Sequence, residues 1–583
     1  MFQKDLELLI DKLRYDGFSQ EESLKLVYFF KAWEILSKDR RIDNEKFKFR
    51  NSIEVLDIRE LKEIFQKLSD KIYLFKTFNN YIKIDKLSEK SLILIIEFIS
   101  KKRNFLKFYD VLVNILGKYG GHYMISHQIA EFGVKLLNTN CFQLYAPFSN
   151  SFNIAYYTNK KVFAESHTDE LTIEIIKILD NINIEFHRTD ILEKPSFVQN
   201  NKLQVFDCTV AFPPMGVKTK SFLFINDSYN RFKIYQGKGS LDVAQFEHIL
   251  AQTRRKAVVL MPTGFTFRGG VEEKFRKYLI DNNWLEAIIQ LPANLLIGTG
   301  IETTFFVINK DKNHDNIYFM NLKDKQFINK KGRQLILNNI DKIIEMYKEK
   351  REIENIASVV SNFEVMENNY SFSVNRYIFS KKDLKIKKIL DEYPSKKLQD
   401  IATIRKSQLI EDEKEGITAY EISPSDFKAF GFTLESGKVK KINQQYKKYE
   451  TYKLLPNDIL ISTKGTVGKV ALIGEIVEPM IASQAIHIIR LDSNYTVEPK
   501  FLYMFLKSNI GQTLIKRLST GTIMPQITTK EIRELKIPIP SIEQQQKIIK
   551  KFKDEIRLYK EIEQLQEKID DINNNFLGDL GNE

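Results

Sequence analysis

The chain has 583 residues, of which 43% are hydrophobic and 28% charged, and its formal charge is +13. That length exceeds what one hydrophobic core supports, so two or three domains are expected. Two cysteines and short apolar runs exclude a disulfide-dense secreted scaffold and a bundle of membrane spans, each of which needs about 20 apolar residues.

The positive charge favours a polyanionic partner such as nucleic acid. Ile, Asn and Lys are abundant together, so an AT-biased coding sequence would produce it as well. Cys141 and Cys208 have no pairing or metal-ligand spacing, and no secretory leader opens the chain. A reducing, cytoplasmic location is therefore expected.

Residues 1–118 read as helices throughout. Leu6, Leu9, Ile10 and Leu13 recur at helix spacing, as do Leu24, Val27 and Phe30, and Leu92, Ile95, Ile96 and Ile99. Prolines are absent from this stretch, and it carries no catalytic pattern, so a packing or partner-binding domain is expected. Gly120 to Ala130 breaks the pattern and opens a new helix, with Ser126 as its N-cap. His122 and His127 lack companion ligands, so no metal is expected.

Phe142-Gln143-Leu144-Tyr145-Ala146-Pro147 reads as a strand running into a loop, Phe148 to Asn153. Val162-Phe163-Ala164-Glu165 is a second strand ending on an acid, and Asp190 closes Arg188-Thr189-Asp190. Phe206 to Ala211 is a buried strand that stops abruptly at Phe212-Pro213-Pro214-Met215-Gly216. Open α/β folds place their chemistry in loops at the carboxyl ends of parallel strands. Ala257 to Pro262 follows as another strand, then Arg268-Gly269-Gly270 and a helix from Val271 to Ile280. Glu286 to Pro292, Gly298-Thr299-Gly300 and Thr304 to Ile308 complete a strand, loop, strand series. Leu335 to Val360 reads as one charged amphipathic helix, a brace rather than a site.

This series resembles the amino-group DNA methyltransferases, in particular the methylation subunit of Type I restriction systems. Asn368 to Tyr377 resembles the segment that closes that domain. The resemblance implies a Rossmann-like fold, S-adenosylmethionine as methyl donor, and transfer to adenine N6. It also places the family's functional positions in this chain. A Thr-Pro pair beside the donor corresponds to Ile125 and Ser126. The acid that engages the donor's amino-acid end corresponds to Ala146, followed by Pro147. Two loop glycines correspond to Asn150 and Phe152, so a large ring is expected where the donor lies. The ribose acid corresponds to Glu165 and the adenine-ring acid to Asp190. The Asn or Asp before the two prolines corresponds to Phe212, and the aromatic residue after Pro213 and Pro214 to Met215.

Adenine-N6 transfer needs a flipped base, a polar acceptor for its amine and an aromatic platform. Phe212 has no acceptor and Met215 is a poor platform. No other Asn/Asp-Pro-Pro-aromatic tetrad occurs in the chain. A catalytically inactive pseudo-methyltransferase domain with no cofactor is therefore expected. The alternatives are an active S-adenosylmethionine-dependent adenine-N6 DNA methyltransferase, unaided or completed by a partner, and a scaffold whose pocket takes another ligand.

After a lysine-rich helix ending near Pro394, the grammar changes to short β-like runs. Leu398 to Ala402, Leu455 to Lys469, Ile481 to Ala485 and Pro538 to Gln545 resemble, in order, half of a Type I specificity subunit. The resemblance implies a target-recognition domain reading double-stranded DNA through loops. Candidate DNA contacts are Lys406, Ser407, Lys428, Lys438, Lys440, Lys441, Asn443, Gln444, Gln445, Lys464, Thr466, Thr522, Gln526 and Lys530. The lysines suit phosphates, and Asn443, Gln444, Gln445 and Gln526 suit base edges. Ile548, Ile549, Phe552, Ile556, Tyr559, Ile562, Leu565 and Ile569 form a coiled-coil seam.

The expected organisation is thus a multidomain α/β chain. It comprises an N-terminal helical domain (1–118), a Rossmann-like methyltransferase domain (119–378), a linker (379–395), an α+β target-recognition domain (396–540), a dimerisation helix (541–575) and a tail (576–583). One recognition domain with one helix is half of a two-part reader. A homodimer, or a heterodimer with an active methylase–specificity protein, is expected, in a restriction-like or anti-phage assembly that includes a nuclease or ATPase.

Overall fold

The computed structural model describes residues 2–53, 57–102, 104–116, 125–149, 151–218, 227–332, 334–427, 438–443, 447–492, 497–518 and 526–574. The chain divides into two compact units, Met1–Ile378 and Phe379–Glu583.

The first unit begins with helices, as their apolar spacing requires. Helix α1 (Phe2–Tyr15) buries Leu6, Leu9, Ile10 and Leu13. Helix α2 (Gln20–Lys38) starts on a capping box between Ser19 and Glu22, which satisfies donors that an open helix end would expose. Aromatic rings pack α2 onto a later helix, Tyr73–Tyr81, where Phe29 stacks on Phe78 with ring centroids 3.7 Å apart. Helix α3 (Phe108–Leu116) and helix α4 (His127–Leu136) bring this layer to the sheet, and α4 is capped by Ser126.

The sheet has nine strands. They are β1 (Leu144–Pro147), β2 (Val162–Ser166), β3 (Ile184–Arg188), β4 (Phe206–Ala211) and β5 (Thr253–Pro262). The series continues with β6 (Leu285–Gln290), β7 (Thr303–Asn309), β8 (Asn316–Asn321) and β9 (Ala357–Ser361). Their spatial order is β9-β8-β6-β7-β5-β4-β1-β2-β3. Pairing is parallel from β3 through β5, and β7 and β9 run against their neighbours. Every residue of β4 is buried, which suits its apolar and β-branched character, and the one carboxylate in it, Asp207, accepts a hydrogen bond from Phe142 N at 2.9 Å. Helices α5 (Glu170–Asp180), α6 (Asp242–Ala251) and α7 (Val271–Asp281) connect the strands.

Chain order reverses between β1 and β4. The strands after β1 extend to one side, and β4 returns to the other. The loops after these two strands therefore flank a topological switch point, where such folds bind ligands.

Two expectations are corrected. Leu335 to Val360 is not one helix. Helix α8 covers only Ile340–Glu349, with a strand at Gln334–Leu337 before it and β9 after it. Asn339 and Lys350, at the two ends of α8, have φ of 55° and 51° and stop it on both sides. Cys141 and Cys208 form a disulfide, with Cα atoms 5.9 Å apart. Their wide sequence separation hid the pairing. Leu144 of β1 lies opposite Cys208 of β4, so strand pairing brings the two cysteines together.

The second unit opens with helix α9 (Lys381–Asp391). One four-stranded sheet is ordered β10-β16-β13-β14, and a three-stranded sheet is ordered β12-β11-β15. These strands are β10 (Ala402–Lys406), β11 (Ile417–Ile422), β12 (Lys438–Ile442), β13 (Ile459–Ser462), β14 (Val470–Leu472), β15 (Met480–Ala482) and β16 (Ile486–Leu491). A short helix α10 (Thr529–Arg533) precedes the long α11 (Ile542–Asn574). Ile549 and Phe552 bury the first half of α11 on the domain. Beyond them Leu558, Ile562, Leu565, Ile569 and Ile572 are 50–72% exposed.

Candidate functional site

The loop after β1 is built on Phe148, whose φ of 75° is unusual for a residue with a Cβ. Its amide donates to the Glu165 carbonyl and its carbonyl accepts from Ser151 N, both at 3.0 Å. This conformation drives the Phe148 ring into a core with Ile191, Ala211, Tyr235 and Val243. Phe152, expected to project into donor space, turns elsewhere. Its ring packs edge-on against Tyr109 of α3, with centroids 5.6 Å apart. The large helical layer supplies that apolar partner, which local sequence does not reveal. Ala146 and Pro147 are buried in β1. Asn150, like Gly120 to Met124, lies outside the described residues.

The loop after β4 is tied to this one. Ser151 Oγ accepts a 2.8 Å hydrogen bond from the Phe212 amide. The Phe212 side chain is wholly buried, its ring 6.3 Å from that of Phe305. A Cβ added at Gly133 would lie 3.3 Å from the tip of the Phe212 ring, so α4 presses directly on it. Pro213 is buried, Pro214 exposed and Met215 half-buried. Gly216 N donates to Asp242 Oδ1 at 3.1 Å, fixing the loop to the start of α6.

Glu165 sits at the end of β2 but is fully buried. Tyr145 Oη donates to its Oε1 at 2.5 Å, and Ser196 N donates to its Oε2 at 2.6 Å. Burial raises its pKa above the ordinary carboxylate value, against the pull of those donors. The chain of contacts continues inward. His248 Nε2 lies 2.9 Å from Tyr145 Oη, and its Nδ1 lies 3.0 Å from Arg231 Nη1. Arginine only donates, so Nδ1 accepts and the imidazole proton resides on Nε2. Burial, reinforced by the Arg231 charge, holds His248 well below its usual pKa. Arg231 is itself held by Asp227 and by the carbonyls of Ile191 and Leu192. Asp190 lies beyond β3, where its Oδ1 accepts from Leu192 N and its Oδ2 is 3.5 Å from His167. Among the described residues no cluster of three or more His, Cys, Asp or Glu has metal-ligand geometry.

The second unit contains a basic cleft of about 830 Å³. The ends of β10 and β13 and the start of β16 share one sheet edge, because β16 pairs antiparallel with both. That edge brings together Lys406, Lys464 and, from α10, Arg533. Beneath them His487 is 2% exposed, between Thr463 Oγ1 at 3.1 Å and Thr529 Oγ1 at 2.7 Å. Burial, then repulsion from Lys406, Lys464 and Arg533, lowers its pKa to about 4.

That shift sets a pH dependence. The folded pKa lies below the ordinary 6.5, so the unfolded chain takes the proton first. The contribution of His487 to stability is full above about pH 6.5 and is lost as pH falls toward 4. Between pH 7 and pH 5 the loss should reach about 2 kcal/mol. Hydrogen-exchange protection of β16 measured at both pH values reads it. His487→Gln should flatten the difference, and an unchanged difference would assign it to other groups.

Of the other expected DNA contacts, Lys441, Asn443, Thr466, Gln526 and Lys530 are exposed. Lys438 is exposed beside Glu421 at 3.5 Å. Ser407 is buried, its hydroxyl bonded to the Ala482 carbonyl. Lys440 is corrected. It is 4% exposed, its ammonium donating to the Ile410 carbonyl at 2.8 Å and paired with Glu421 at 2.7 Å. Strand alternation points it inward while Lys441 points out. Lys428, Gln444, Gln445 and Thr522 lie outside the described residues. The sequence reading missed Gln408, Tyr452, Gln484 and Arg533 in the cleft wall. Gln484 stands in a run already singled out, directly after a strand, which was the available signal.

Comparison with known proteins places these units. Residues 156–385 match the family described as N-6 DNA Methylase, and residues 391–573 match the Type I restriction modification DNA specificity domain. The chain is 32% identical over 223 residues to the Type I restriction enzyme MpnII methylase subunit of Mycoplasma pneumoniae, covering 36% of this chain and 40% of that one. It is 29% identical over 113 residues to the EcoBI specificity subunit of Escherichia coli, covering 19% and 23% of the two chains. The chain thus spans about two fifths of the length of the curated methylase relatives it matches. The methyltransferase subunit of a Streptococcus thermophilus type I system shares the fold, with a TM-score of 0.54, 18% identity, and coverage of 65% of this chain and 99% of that one.

Proposed function

We infer, from a chain that joins an N-6 DNA methylase domain to a Type I restriction modification DNA specificity domain, that it is a site-specific DNA-binding subunit without methyltransferase activity of its own. The observation that carries this reading is the burial of Phe212 against α4 and β7, with only its backbone facing Ser151. Methyl transfer to adenine N6 needs an oxygen acceptor where that ring points away. The donor side supports the same reading. Position 146 offers no carboxylate, Phe148 fills the space under the loop, and Tyr145 and Ser196 occupy both oxygens of Glu165. These residues do not fit S-adenosylmethionine in the family's manner, so the methylase fold acts as a platform.

DNA reading rests on the basic cleft of the second unit, where Lys406, Lys464 and Arg533 meet duplex phosphates. The subunit works in a restriction-modification assembly, with a second copy or an active methylase–specificity protein as partner. No described helix is long and apolar enough to cross a membrane.

A second reading, an active adenine-N6 methyltransferase completed by a partner, draws on Glu165 and Asp190, which still stand at the ends of β2 and β3. Calorimetry separates the two. Titration of the purified protein with S-adenosylmethionine should give no binding heat, labelled donor should leave DNA unmethylated by this chain alone, and any turnover in the presence of an active methylase partner should be indifferent to Asp190→Ala. Turnover that falls on Asp190→Ala would establish the second reading.

A further inference from the structure

The basic cleft carries two side chains to which no role has been assigned. Gln408 follows Ser407 just beyond β10, and Gln484 occupies the turn between β15 and β16. Both are exposed and both line the cleft. Among the described residues, neither side-chain amide has a hydrogen-bond partner.

Their backbones are held rigidly. Ser407 N donates to the Ile486 carbonyl at 3.2 Å, and its hydroxyl is bonded to the Ala482 carbonyl. Ser483 N donates to the Ile422 carbonyl and Thr463 N to the Ala485 carbonyl, both at 2.8 Å. Gln408 thus follows the buried, bonded Ser407, and Gln484 lies between the half-buried Ser483 and Ala485, whose backbones are bonded to Ile422 and Thr463. The two turns are stitched to one another through Ser407 and Ala482. A long polar side chain on a fixed base loses less entropy on binding than one on a loose loop. The surrounding charges are Arg405, Lys406, Lys464 and Arg533, cations that suit phosphate oxygens and carry no sequence information there. The cleft therefore separates positioning cations from neutral amides able both to donate and to accept.

We propose that Gln408 and Gln484 are specificity-determining residues, each reading one adenine of the target through its major-groove N6 and N7. This assignment rests on the DNA-recognition reading above. A glutamine amide donates to N7 and accepts from N6, a bidentate match that adenine alone offers among the four bases. The remaining cleft residues orient the duplex so that both amides reach neighbouring base pairs.

The test is selection of the full-length chain on randomised duplex DNA, comparing wild type with Gln408→Ala, Gln484→Ala and Gln484→Glu. Wild type should enrich a motif containing fixed adenines. Each alanine variant should lose preference at one position, different for the two residues, by about 5- to 100-fold. Gln484→Glu should move its position toward cytosine, whose N4 donates to a carboxylate. Affinity for unrelated duplex should stay within about twofold for the alanine variants, because phosphate contacts are intact. Lys464→Ala should instead weaken all sequences alike and reduce the salt slope by about one. An unchanged motif in both alanine variants would overturn the assignment alone. A wild type that enriches no motif would overturn the recognition reading and the assignment with it.

Discussion

Replacing Phe212 by asparagine should lower the stability of the first unit by about 3–5 kcal/mol and create no methyltransferase activity. The substitution restores the residue type that the family carries before the two prolines. In this fold position 212 faces the core, between Val210, Phe305 and the Gly133 turn of α4. Removing the ring leaves a cavity, and the amide enters an apolar pocket with no partner. Gly133 is part of the fit, since a Cβ there would meet Val210 at 3.1 Å and Phe212 at 3.3 Å. Gly133→Ala should therefore also destabilise. Urea denaturation followed by tyrosine fluorescence measures both. A Phe212→Asn protein as stable as wild type would mean that the loop turns the side chain out at little cost. The platform reading would then lose its main support.

Replacing Leu558, Ile562, Leu565 and Ile569 together by glutamine should convert a dimer to a monomer and weaken binding to a two-part DNA site by 100-fold or more. These residues alternate in steps of four and three along α11 and are 50–59% exposed, while the first half of the helix is anchored by Phe552. A stripe of this kind, left open to water over several turns, has the spacing a coiled-coil seam requires. Glutamine keeps helix propensity, so the change tests packing rather than folding. Two linked half-readers gain by effective concentration, and the monomer forfeits that gain. Light scattering after size exclusion gives the oligomeric state, and circular dichroism confirms that helix content is kept. A wild-type monomer that associates only with a second methylase–specificity protein would select the heterodimer. A quadruple variant that still dimerises would remove α11 from the interface.

Much of the candidate site was legible in the residues because it lies in local motifs. The run from Phe206 to Gly216 carries its own strand and stop signals, and the acid at 165 announces a strand end. The directions in which side chains point were not legible. Phe152 and Phe212 are both aromatic intrusions in the sequence, yet one packs on Tyr109 of the helical layer and the other under Phe305. Phe148, unremarkable in the sequence, takes the left-handed conformation that fills the space beneath the loop. In the second unit, Lys440 and Lys441 are adjacent and chemically alike, but strand alternation buries one and exposes the other.

The sequence by itself determined most of the strand and loop series from Phe142 to Ile308, the place where the chain changes grammar, and which residue types stand at positions 146, 152, 212 and 215. These follow from periodicity, breakers and residue type, which are properties of neighbouring positions. Only the tertiary structure decided the Cys141–Cys208 pair, the burial of Glu165 under Tyr145, and the meeting of Lys406, Lys464 and Arg533 around His487. Each of these joins residues from separate strands or helices. Their contact depends on sheet order and register, which are fixed by burying the apolar faces together rather than by any local pattern.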